Sequence, residues 1–164
     1  MSPGRRFAPR ARRAMLAVAL LLSVTACGGT DGPLAGGTPE LRISRAQASA
    51  PVAGASQLVL SITNDGDGDD RLVGADTPSA LAVEIHRTVV EEDGRAVMRM
   101  LDAVDLPAGE TVRFRPGGLH LMVVVPDERV EVGGTFTVTL RFARSSPVTL
   151  EVEVVDLLDL VEGT

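Results

Sequence analysis

Two histidines and three methionines, His86, Met98, Met100, His120 and Met122, fall in one stretch between residues 86 and 122. The other methionines, Met1 and Met15, precede residue 27, and there is no further histidine. Imidazole nitrogen with thioether sulfur is a soft ligand set that suits Cu(I) and matches Mg or Ca poorly. A methionine taken singly at alternating spacing is ordinarily core filler, and that reading fits Met100 best. A lone histidine on the outer face of a strand is ordinarily just solvated. What sets these five apart is that they share one segment and leave the rest of the domain free of both residue types.

The elements that must position them are strands. Apolar and polar residues alternate almost throughout, in Leu41–Ser44, Gln57–Thr63, Val83–Arg87, Thr111–Arg115, Leu119–Val125, Thr135–Phe142 and Val148–Val155. Turn-forming residues separate them at Asn64-Asp65-Gly66, Asp93-Gly94, Pro107-Ala108-Gly109, Pro116-Gly117-Gly118 and Gly133-Gly134. No stretch carries a helical period. Eight or nine short strands at this spacing predict an all-β domain over residues 40 to about 160, a β-sandwich or barrel with Greek-key connections.

Alternation assigns faces. Leu119, Leu121 and Val123 take the core side of their strand, leaving His120 and Met122 together on the other. Val83 and Ile85 point inward, so His86 points away with Glu84. Met98 and Met100 share a side, and Glu91-Glu92-Asp93-Gly94 joins their strand to that of His86 as a hairpin-like connection. Three neighbouring strands can therefore gather both imidazoles and the thioethers on one polar face.

Residues 1–26 have the form of an export signal. Five arginines, from Arg5 to Arg13, precede an apolar run from Ala14 to Val24 that is too short to span a bilayer as a helix. Val24-Thr25-Ala26-Cys27 resembles the lipobox of bacterial lipoproteins, which makes Cys27 the expected lipidation site and new N-terminus. Cys27 is the one cysteine, so the mature domain has no disulfide and no thiolate for a metal. Residues 27–39 then form a glycine-rich tether with little apolar content.

All 22 acids follow residue 26 while five of the 16 arginines precede it, which leaves the mature chain 11 arginines against 22 acids, a charge of −11. With no lysine, tyrosine or tryptophan, it lacks the basic and stacking groups that nucleic-acid binding requires. No cysteine or serine sits in a nucleophile motif, which argues against an enzyme. A blue-copper carrier would need a cysteine thiolate. Asp65-Gly66-Asp67-Gly68-Asp69-Asp70 has alternating acids like a calcium loop, but Asp70 stands where glycine is required, so it reads as a solvated acidic turn. The rival to metal carriage is a metal-free sandwich lipoprotein serving adhesion or scaffolding.

The spacing His86-Arg87, ten residues, Met98, twenty-one residues, His120-Leu121-Met122 resembles the H(M)x10Mx21HxM signature of the PCu(A)C copper chaperones. Asp70–Gly74, Val83–His86, Leu106–Val112 and Arg115–Met122 look like further blocks of that family, and the likeness extends over about residues 40–156. It implies a cupredoxin-like sandwich holding one Cu(I) at an exposed site, with His86, Met98, His120 and Met122 as ligands and Met100 as an auxiliary. Arg87 replaces the optional methionine and would place a cation beside the site. The resemblance further implies a copper carrier anchored by lipid to the outer face of the bacterial cell membrane. Its copper would pass to an accepting protein such as the CuA subunit of cytochrome oxidase or a thiol protein of the Sco type.

Overall fold

A computed structural model describes residues 36–162, together with Met1 and Leu34. The export signal, Cys27 and most of the tether lie outside the described residues. The chain forms β1 (Leu41–Ser49), β2 (Ala55–Asn64), β3 (Asp70–Asp76), β4 (Ala80–Val90), β5 (Ala96–Met100), β6 (Val104–Leu106), β7 (Thr111–Arg113), β8 (Leu119–Pro126), β9 (Thr135–Phe142), β10 (Val148–Val155) and α1 (Leu157–Glu162).

Neighbouring strands run in the order β5-β4-β8-β2-β1-β10-β9-β3-β6, with β7 also on β2. A bridge from Ala75 on β3 to Val83 on β4 joins the far strands, so the sheet curls round on itself. The pairs β2–β8, β4–β8 and β3–β9 bring strands together that are distant in the chain, as Greek-key connections do. β1 and β10 pair in parallel, the first strand beside the last. The expected all-β, cupredoxin-like sandwich is what the chain adopts.

Its interior is built from the inward half of each alternating strand. Leu58, Leu60 and Ile62 of β2, Leu121 and Val123 of β8, Val138 and Leu140 of β9 and Val152 of β10 are almost fully buried. Burying each such side chain stabilises the fold by about 1.5–3 kcal/mol. Among the described residues, the buried core lies between Leu41 and Leu160.

Three features depart from the expectations. β3 and β6 are additional strands; β6 has three residues, too few to display a period, and β3 is interrupted by a register shift between Leu72 and Gly74. The helix α1 has six residues, also too short for a visible period; the Asp156 carboxylate caps it by accepting from the Leu158 amide at 3.0 Å. The third departure is the acidic segment 65–70. Asp65 and Asp67 are exposed, as in a solvated turn, but Asp70 at the end of the segment is wholly buried.

Asp70 accepts from the backbone amides of Arg71 (2.7 Å), Arg144 (2.9 Å) and Ser145 (2.9 Å). Beside it the buried Asn64 side chain donates to the carbonyls of Gly68 and Leu106 and accepts from the Glu40 amide. Alternate glycines let the end of the tether lie against this loop: a Cβ on Gly66 would stand 2.2 Å from the Thr38 carbonyl oxygen. The Thr38 amide donates to Asp67 at 2.7 Å, so the packed domain begins a few residues before 40.

Burial alone would raise the Asp70 carboxyl, but the hydrogen bonds from Ser145, Arg71 and Arg144 outweigh it and hold its pKa below the usual 3.8. A lowered folded-state pKa contributes stability above about pH 4 that is lost as the pH falls through the folded value. Asp70→Asn is expected to destabilise the domain by about 1.5–3 kcal/mol at neutral pH. It should also remove part of the acid sensitivity, which urea midpoints of both proteins between pH 7 and pH 3 will check.

Candidate metal centre

β4 lies between β5 and β8, and its register with both decides which side chains meet. His86 on β4 stands directly opposite His120 on β8 and opposite Met100 on β5. Glu84 faces Met122, which on its other side faces Gln57 of β2. Thr88 faces Met98. Paired residues share a sheet face, so three rows form: Met98 with Thr88, then Met100, His86 and His120, then Glu84, Met122 and Gln57.

The expected residues are thus gathered on one face, though unequally. The two imidazole rings have centroids 6.0 Å apart and an interplanar angle of 78°. Met122 is half-buried and diagonal to His86. Met100 is directly opposite His86, whereas Met98 is offset by one row, a Cα separation of about 7–8 Å that a long thioether can span. Both β5 methionines are exposed, Met98 by 57% and Met100 by 66%. His120 is fully buried, so the histidine end of the site is more enclosed than the resemblance implies. Alternation turns Arg87 to the other face of β4 from His86, although Arg87 and Met100 line one groove.

The hydrogen bonds fix both tautomers. A carbonyl can only accept, and the Gly118 carbonyl lies 3.0 Å from His120 Nδ1, so Nδ1 carries the proton and Nε2 keeps the lone pair. A carboxylate likewise only accepts, and Glu84 Oε2 lies 2.9 Å from His86 Nε2, so His86 keeps its lone pair on Nδ1. These two nitrogens, His86 Nδ1 and His120 Nε2, are buried and have no hydrogen-bond partner among the described residues. A buried, unpaired polar atom is costly and uncommon, and two of them on directly paired residues of adjacent strands mark a place where a ligand could bind.

The turn before β8 makes this arrangement. The Gly118 amide donates to the Arg115 carbonyl at 3.2 Å across Pro116-Gly117, and Gly117 has φ 70°. This is a type II turn, with proline and glycine where each is favoured. It presents the Gly118 carbonyl to both the Thr88 amide and the His120 ring, locking β8 to β4 and orienting the imidazole in one stroke. Sequence reasoning found His86, His120 and the methionines, and placed Glu84 on their face. It missed the Gly118 carbonyl, readable only as a residue two before His120, and Gln57, whose Oε1 is the third buried unpaired acceptor. Gln57 reaches the site through the β2–β8 pairing, for which the local pattern has no signal.

Among the described residues, no group of three or more His, Cys, Asp or Glu side chains converges as a metal site. The soft side chains that share the face of the two imidazoles are the thioethers of Met98, Met100 and Met122.

The family described as "Putative lipoprotein LpqE-like" matches residues 40–154. The chain belongs to this LpqE-like family. It is 30% identical over 153 residues to "Putative lipoprotein Lxx21020" of Leifsonia xyli subsp. xyli, covering 88% of this chain and 90% of that one. Its fold matches the copper-bound PCuAC domain from PmoF2 with a TM-score of 0.60 and 27% identity, over 71% of this chain and 92% of that domain. The solution structure of CuI-DR1885 from Deinococcus radiodurans matches with a TM-score of 0.57 and 25% identity, over 71% and 78%. The resemblance to the PCu(A)C family drawn from the spacing of His86, Met98, His120 and Met122 is upheld at the level of family and fold. The names of the family and of the Leifsonia relative agree with an exported lipoprotein.

In the LpqE-like chain, burial lowers the His120 pKa from 6.5, opposed by the bond to Gly118 and aided by repulsion from His86 when that ring carries a proton. The folded state thus prefers neutral His120: stability is complete above about pH 6.5 and declines as the pH falls from there toward the folded value. The metal-free domain is expected to lose stability between pH 7 and pH 5, and His120→Asn to flatten that segment of the profile, as followed by urea midpoints.

Proposed function

We propose that this chain is an extracytoplasmic Cu(I) carrier without catalytic activity. The observation that carries the reading is the pair of buried, unpartnered nitrogens, His86 Nδ1 and His120 Nε2, on directly paired residues whose ring centroids lie 6.0 Å apart, with methionines in the same and neighbouring rows. His86, Met98, His120 and Met122 would hold the ion, and Met100, opposite His86, would serve as the auxiliary. The likeness to copper-bound PCuAC domains supports the same cargo. A metal-free adhesion module would have no use for two unpaired buried nitrogens.

The arrangement suits a carrier. The exposed β5 thioethers can meet an incoming or departing ion, while the enclosed histidines retain it. Lipidation of Cys27 would keep the domain at the outer face of the cell membrane. The recipient would be a copper-accepting protein such as a CuA subunit or a Sco-type thiol protein, whose thiolates are stronger Cu(I) ligands than thioethers.

Residues 28–164, titrated with Cu(I) against a chromophoric chelator, are expected to bind one equivalent, with His120→Ala and Met122→Ala losing it. Glu84→Gln should weaken binding by about tenfold or more, because the carboxylate fixes which His86 nitrogen is free. Affinity should fall in acid, since protons compete for both imidazoles. Weak binding that none of these substitutions alters would refute the copper site.

Delivery has its own check. The Cu(I)-loaded domain, mixed with an apo CuA domain or an apo Sco-type protein and then separated from it, is expected to have lost its copper to the partner. Copper retained by the donor in both mixtures would leave buffering, and not delivery, as its role.

A further inference from the structure

A second polar feature lies on the outer face of β2, next along the strand from Gln57. A groove of about 500 Å³ opens there between β1, β7 and the turn before β8, and Arg45, Arg113 and Arg115 all line it. Ser61 forms its floor, with Ser44 opposite on β1 and Arg113 opposite on β7. No aspartate or glutamate is among its lining residues.

In a mature chain with twice as many acids as arginines, this is an unusual use of cations. Arg42, Arg71, Arg95, Arg99, Arg129 and Arg141 each form an ion pair with a carboxylate. Arg144 donates to the carbonyls of Asp69 and Gly37. Among the described residues, the side chains of Arg45, Arg87, Arg113 and Arg115 have neither an ion pair nor a hydrogen bond, and three of these four, Arg45, Arg113 and Arg115, share one groove.

The backbone is bent to bring Arg45 there. Ser44 pairs with Ser61 and Gln47 with Val59, so three residues of β1 are spent where β2 spends two. This is a β-bulge. Strict alternation after Ser44 would turn residue 45 toward the core; the bulge instead puts Arg45 in the groove, at φ 57°, a left-handed conformation uncommon for a residue other than glycine.

We propose that this groove binds an oxyanion of the phosphate class. A guanidinium presents paired N–H donors that match two oxygens of one anion, and several such forks are answered by a group with at least two negative charges and three or more oxygens. A monocarboxylate would satisfy one of them. The Ser44 and Ser61 hydroxyls add neutral donors. A dissolved phosphate meets this requirement alone, and an anionic phospholipid surface meets it with neighbouring headgroups, each bearing one charge and two free oxygens. The assignment stands apart from copper binding: it uses none of the proposed ligands, although Arg115 belongs to the turn whose Gly118 carbonyl orients His120.

The test uses residues 28–164, which hold every core residue among the described ones and lack Cys27. Inorganic pyrophosphate is titrated calorimetrically into the parent, into Arg113→Gln/Arg115→Gln, and into Arg95→Gln/Arg99→Gln, which removes equal charge elsewhere. All four positions are exposed, and thermal melts verify folding. The proposal expects saturable binding that the first double variant weakens by about tenfold or more and the second leaves unchanged. In parallel, the proteins are sedimented with vesicles of phosphatidylglycerol or of phosphatidylcholine. Binding of the parent, but not of Arg113→Gln/Arg115→Gln, to phosphatidylglycerol supports the proposal with the headgroup as source; pyrophosphate binding alone supports it with a soluble anion. No saturable binding of either probe, or equal loss in both double variants, overturns it.

Discussion

The antiparallel register of β4 against β8 is the constraint on which the rest depends. It places His86 opposite His120, and every other relation at the site follows from that pair. Side chains alternate strictly along a strand, so a slip of one residue would drive His120 into the core and expose Leu121. The core resists that slip because Leu119, Leu121 and Val123 are all buried on the inner face of β8, along with Ile85 on β4. The type II turn at 115–118 then pins the end of the pairing through the bond from the Thr88 amide to the Gly118 carbonyl. Hydrophobic burial sets the register, and the turn converts it into an oriented imidazole.

How much of this can be read from sequence depends on the range of the interaction. Strand faces are local, so His120 with Met122, and His86 with Glu84, are legible from alternation alone. The β4–β5 hairpin is legible as well, since its turn lies between the two strands it joins. Registers across non-adjacent strands are not: nothing near Gln57 announces that β2 will lie beside β8 and place it next to Met122. Asp70 was misread for a similar reason. Its amide donors on Arg144 and Ser145 are some 75 residues away, and without them a run of acids looks like a surface loop.

The burial of His120 reflects a second level of the same problem. Alternation identifies the face on which a side chain leaves the sheet, but not what covers that face. Here the outer face of β8 is itself enclosed around the histidine, while the β5 edge remains open around Met98 and Met100. The result is a gradient from a buried His120 through a partly exposed His86 to exposed thioethers within three adjacent strands. An ion held at such a place would exchange by its thioether side, because that side alone is open to a partner's ligands.

The energetic signature of the site points the same way. A domain of this size has little net stability to spare, and two buried nitrogens without partners work against folding when no ligand is present. Local rules of polar satisfaction are obeyed elsewhere with care: Asn64 and Asp70 are buried and each meets several hydrogen-bond partners. The contrast is informative because the same barrel contains both kinds of buried polar group. Where the fold needs polarity for its own architecture, it supplies the partners from within; at His86 and His120 it leaves the last position open, which is where function is expected to violate the rules of stability.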